Sequence, residues 1–155
     1  MKITDLQIGD WVFFYAGFDK EESCNSPVSG ILATNILYSK DDIFLEFCGG
    51  DPFHGDELFP ILITPEVLER NGFDKEKWTT SSWKRILGGY DHWCDMSRSD
   101  GKWYLRIKDD GMFSCMTTVK YVHELQHVFR LFNIEQDWKI EETDNPDWDL
   151  INKEE

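Results

Sequence analysis

Residues His123-Glu124-Leu125-Gln126-His127 spell H-E-x-x-H. On a helix that spacing sets two imidazoles one turn apart as zinc ligands, with the glutamate placed to take a proton from a metal-bound water. The chemistry also needs a third ligand and a cleft. In the extended form of the motif Gly and His follow, but Arg130 and Asn133 stand at those positions here. A distant glutamate ligand would have to come from Glu141, Glu142 or the tail, with little chain left for a second helix to present one. Helical periodicity gathers Tyr121, Val122, Leu125, Val128, Phe129 and Phe132 into one apolar stripe and turns His123, His127, Lys120 and Arg130 to the other side. The expectation is therefore two solvent-facing histidines. A zinc hydrolase using His123 and His127 as ligands and Glu124 as base is the alternative.

Other combinations are weaker. Cys94 with His92, or Cys115 with His123, would make a thiolate–imidazole pair only if folding brought each base within hydrogen-bond reach. His54 could join Asp51, Asp56 or Glu57 around a cation, but a solvated turn explains the same residues. The four cysteines lie 24, 46 and 21 residues apart with no C-x-x-C pair, so metal-knuckle spacing is absent. No cofactor is called for. Among the seven tryptophans, Trp11 and Trp103 sit in strand-like alternation and read as core. Trp93, Trp138 and Trp148 lie in polar company and are the candidates for a recognition surface.

Thirty acidic against sixteen basic residues give a net charge of −14. That balance argues against wrapping nucleic acid or lying on an anionic membrane. Half of the excess falls in residues 135–155, which hold nine acids and two lysines. Such a stretch suits solubility first, or contact with a basic partner protein, including mimicry or inhibition of a basic host protein. The opening Met1-Lys2-Ile3-Thr4-Asp5 is not signal-like, and no apolar run approaches the ~18 residues of a membrane span. With cysteines unpaired by spacing, the expected compartment is a reducing cytoplasm.

The elements that would position these groups follow from local chemistry. Trp11-Val12-Phe13-Phe14-Tyr15 reads as a strand, and a polar loop from Gly17 to Ser29 separates it from strands near Gly30–Tyr38, Ile43–Cys48 and Leu58–Ile63. Four short strands in about sixty residues predict a small antiparallel barrel of SH3-like type. Thr64-Pro65-Glu66 starts a two-turn helix that Gly72 closes. The segment Trp78–Leu87 is ambiguous, and Gly88 to Trp93 reads as a loop or irregular strand. Lys102–Lys108 alternates polar and apolar, Asp109-Asp110-Gly111 is a hairpin turn, and Met112–Met116 returns. Thr117 or Thr118 should cap the last helix, which runs to about Asn133.

Three patches carry a resemblance: the I-G-D opening before Trp11-Val12, the segment Ile61–Phe73 (I-L-I-T-P-E-V-L-E-R-N-G-F), and Lys120-Tyr121-Val122-His123-Glu124-Leu125-Gln126-His127. Together they resemble a family of small uncharacterised proteins of gut Bacteroides-type bacteria and their phages, over roughly residues 3 to 133. That family's last patch more usually reads Y-V-H-Q-L-Q-N, so Glu124 and His127 depart from it and the resemblance lends a protease no support. It implies a phage or mobile-element setting and carries no activity to transfer.

The sequence thus predicts an α+β protein in three parts. An SH3-like barrel spans 1–63, and a helix, β-meander and closing amphipathic helix span 64–134, followed by an acidic tail at 135–155. Its expected role is a non-enzymatic interaction or adaptor module.

Overall fold

Aromatic and β-branched residues suit a pleated, half-buried surface, and the run beginning at Trp11 forms the strand β1, Trp11–Ala16. A computed structural model describes residues 6–7, 10–16, 22–33, 43–47, 53–54, 58–88, 92–141, 144 and 146–147. The chain divides into two units, Met1–Leu62 with Ile140–Glu155, and Ile63–Lys139. The acidic stretch from residue 135 is therefore shared between them.

In the first unit β1 is joined by β2 (Glu22–Ala33), β3 (Ile43–Phe47), β4 (Phe53–His54) and β5 (Leu58–Pro60) in an antiparallel sheet of order β4-β3-β2-β1-β5. Val12, Phe13 and Leu58 are buried, and the Phe13 and Phe59 rings lie 6.2 Å apart. No closed barrel is found among the described residues, where β4 and β5 stand at opposite ends of the order. The expected loop to Ser29 is mostly strand: Glu22 to Pro27 pair with Ala16 to Trp11, so tertiary pairing overrides the weak strand preference of Glu-Ser-Cys-Asn-Ser-Pro. A register shift between Val28 and Gly30 then hands β2 on to β3. Two short brackets complete this unit. The Asp10 carboxylate accepts from Gln7 N–H at 2.7 Å, and the Asp144 carboxylate accepts from Glu141 N–H at 2.8 Å. Ile61 bridges Pro146, and Asp147 N–H donates to the Pro60 carbonyl.

The second unit opens on α1, Pro65–Arg70, with the start that Thr64 and Pro65 predict: the Thr64 hydroxyl accepts from Val67 N–H. Asn71 ends the helix, and Gly72 follows at φ +83°, a backbone region that favours glycine. Next come β6 (Asp74–Lys75), β7 (Ser82–Ile86), β8 (Trp93–Ser99), β9 (Lys102–Asp109) and β10 (Met112–Val119), an antiparallel meander of order β10-β9-β8-β7-β6. Its two tightest turns, Asp100-Gly101 and Asp110-Gly111, have both central residues at positive φ, the twist-matched hairpin turn that Asp-Gly favours. The ambiguous segment before Leu87 is resolved as β7.

On the inner face Trp83, Cys94, Met96, Trp103, Leu105, Ile107 and Val119 are buried, and Trp83 meets Trp103 edge-on at 5.3 Å. Both indole N–H groups are satisfied, Trp83 by Glu69 and Trp103 by the Ile63 carbonyl. The closing helix α2 spans Val122–Leu131, with Val122, Leu125 and Phe129 buried. Its Phe129 ring lies under the Arg85 guanidinium and beside Phe73 and Trp138. The helix starts later than the threonines predict, because Thr117 and Thr118 remain in β10, paired with Leu105 and Tyr104. Finally, buried Asn71 clamps the chain after α2: its amide donates to the carbonyls of Val67 and Lys139, and its oxygen accepts from Lys139 N–H and Gln136.

The architecture is α+β, strand-rich, with two sheets and two helices described. No described helix is long and apolar enough to cross a membrane.

Candidate functional site

The H-E-x-x-H residues sit on the first turns of α2, and each already has a structural task. Glu124 is the third helical residue. Its carboxylate accepts from the backbone N–H groups of Lys120 at 2.6 Å and Tyr121 at 3.1 Å, which holds the helix start. A carboxylate bound to two amides is poorly placed to take a proton from water. His123 is the correction to the helical wheel: expected in solvent, it is only 5% exposed. The Tyr121 ring lies parallel to its imidazole at 5.6 Å, and the half-buried His127 meets it edge-on at 5.9 Å. Gln126 is buried as well, so α2 is covered over more than one stripe. The wheel assumes a single covered face, and that assumption fails here. Among the described residues no third carboxylate, thiol or imidazole joins His123 and His127 at metal-binding distances.

The proposed thiolate pairs do not form a nucleophilic site either. Cys94 points into the core of the second unit, where burial pushes its thiol up to about 12 against the lowering pull of Arg85. Burial raises Cys115 too. His92, the partner suggested for Cys94, faces two carboxylates instead: Nδ1 lies 2.5 Å from Asp109 and Nε2 3.2 Å from Asp110. No sequence pattern announced this group, since its members come from the loop before β8, the end of β9 and the turn after it. Its ligand atoms all lie within 4.8 Å, but the side chains are 43%, 55% and 91% exposed and each ring nitrogen already faces an acid. The arrangement is a polar bracket on the turn. It borders a cavity of about 600 Å³, lined by Arg85, Leu87, Ile107, Phe132 and Ile134 among others. The His54 group with Asp51, Asp56 and Glu57, and the thiols of Cys24 and Cys48, lie outside the described side chains.

The outer face of the second sheet is the more distinctive surface. Register places Ile86, Trp93, Lys108 and Phe113 in one row across β7 to β10, and Lys84, Asp95, Arg106 and Met116 in the next. Tyr104 and Lys102 continue that face along β9. Trp93 is half-buried, with the Lys84 ammonium 4.4 Å and the Lys108 ammonium 5.7 Å from its ring centre and Phe113 edge-on at 6.0 Å. Asp95, buried between Lys84 and Arg106 in the register, forms a two-pronged ion pair with Arg106. Ile86, Tyr104, Phe113 and Met116 are exposed.

Of the three tryptophans expected on a recognition surface, Trp93 lies on this face. Trp138 packs on Phe129 at 5.4 Å inside the Asn71 clamp, and Trp148 lies outside the described residues. Trp103 is buried as expected, whereas Trp11 is half-buried. The alternation Lys102-x-Tyr104-x-Arg106-x-Lys108, with its period of two, puts every cation of β9 on one side.

Comparison of the chain with known protein families, with curated proteins and with solved structures finds no match.

Proposed function

We propose that the chain is a non-enzymatic interaction module and that it binds through the outer face of its second sheet. One observation carries the reading. In a chain of net charge −14, exposed Ile86, Tyr104, Phe113 and Met116 gather with Trp93 on a face whose cations are Lys84, Lys102, Arg106 and Lys108. Clustered apolar groups rimmed by charge mark interaction surfaces more often than idle ones. The partner chemistry that fits is a protein segment in which carboxylates alternate with large apolar side chains. Single-stranded nucleic acid would use the same aromatics, but Asp100 and Asp109-Asp110 at the two ends of β9 oppose a phosphate track. A basic partner for the acidic stretch is the lesser reading, because the Asp144 carboxylate already accepts from Glu141 N–H and the backbone at Lys139 is held by Asn71. A zinc hydrolase is disfavoured by the capping role of Glu124. A small cytoplasmic adaptor of phage or mobile-element type accords with the resemblance noted above.

Panning displayed random peptides on the wild-type chain, with Trp93→Ala for counter-selection, tests this. The expected result is enrichment of acidic–apolar sequences whose binding weakens with salt and falls about tenfold or more in Lys108→Glu. Equal binding by Trp93→Ala, no enrichment, or a preference for single-stranded oligonucleotide would sink the proposal.

A further inference from the structure

A sheet edge presents unpaired N–H and C=O groups, and proteins that must stay monomeric shorten, charge or cover it. Three of the four described edges are treated that way. β4 has two residues, and β5 has three, ends in Pro60 and continues into the Ile61–Pro146 bridge. β6 is two residues long, Asp74 and Lys75, both exposed and charged. β10 differs on every count. It is eight residues long, Met-Phe-Ser-Cys-Met-Thr-Thr-Val, without a charge or a proline, and its outer side has no strand partner among the described residues. Met112, Phe113 and Met116 are 75%, 53% and 69% exposed. The two-residue turn makes Asp109 and Met112 a hydrogen-bonded pair. Alternation along β9, past the irregularity at Ser114, then directs the N–H and C=O of Phe113, Met116 and Thr118 away from the sheet.

We infer that β10 pairs antiparallel with the β10 of a second copy of this chain, about a two-fold axis, to join two five-stranded sheets into one. Charge argues for this occupant. Two chains of net charge −14 repel, and β10 is a stretch where they meet without opposing like charges. The first charged residues beyond its ends have opposite sign, Asp110 before Met112 and Lys120 after Val119. Antiparallel pairing brings the Asp110 end of each copy to the Lys120 end of the other, twice by symmetry, whereas parallel pairing would bring like ends together. The pairing is independent of the outer-face proposal, since it is made by backbone groups in the plane of the sheet.

Sedimentation equilibrium of the wild-type chain from about 1 to about 200 µM is the direct test, as that range brackets micromolar association. The expected particle holds two chains at the upper end. Met116→Lys places a charge on the edge, and Thr118→Pro removes an outward N–H without touching the ladder to β9. Both should be monomeric with an unchanged circular dichroism spectrum, Lys120→Glu should weaken association about tenfold, and Trp93→Ala should leave it intact. Hydrogen exchange on the wild type, which needs no variant to fold, should show the amides of Phe113, Met116 and Thr118 better protected at high concentration. A single-chain particle throughout, dimers persisting in both edge variants, or exchange at those amides independent of concentration would overturn the inference.

Discussion

The second unit holds two histidine groups that invert what the sequence advertises. His123-Glu124-His127 spells a catalytic pattern yet is consumed by the helix that carries it: one imidazole is buried and stacked, and the carboxylate caps two amides. His92 belongs to no pattern, yet the fold gives it two carboxylates and a bordering cavity. The difference teaches that spacing along a helix fixes angles between side chains but not what the rest of the chain lays over them. Convergence of ligands is a property of strand ends and turns, which spacing does not report.

Substitutions break or sharpen that contrast. The largest effect is expected at His123→Ala, which empties a buried site and should cost about 2–3 kcal/mol in urea unfolding, the same with and without a chelator. A loss seen only without chelator would restore a metal to α2. Glu124→Ala comes next at about 1–2 kcal/mol, for two charged hydrogen bonds at a helix start. Glu124→Gln separates the two readings of that residue. A glutamine still accepts from the same amides, so stability should stay within about 0.5 kcal/mol, where a general base would be abolished. The smallest effect belongs to His92→Ala, whose exposed contacts with Asp109 and Asp110 are worth about 0–1 kcal/mol in urea unfolding. A loss above about 2 kcal/mol would mean that the bracket carries the turn.

The legible parts of the fold were those whose signal is local. Thr64-Pro65 announced α1, Gly72 its end, and Asp110-Gly111 the hairpin, because capping and positive φ are decided within a few residues. The first half of β2 was not legible, since Glu22 to Pro27 become a strand only through β1. The start of α2 was misplaced for the same reason: Thr118 is a good cap by type, but Tyr104 across the ladder keeps it extended. The outer face was half visible, in the alternation of Lys102 to Lys108. That Trp93 and Lys84 join it depends on which strands lie side by side, which no periodicity within one strand contains.

The first unit takes a bridge from far downstream, at Pro146 against Ile61, while the second unit is one unbroken run from Ile63 to Lys139. A ribosome therefore delivers everything the second unit needs before the first unit has its last segment. A nascent chain paused after Lys139 would carry one complete unit and another still waiting for its last piece.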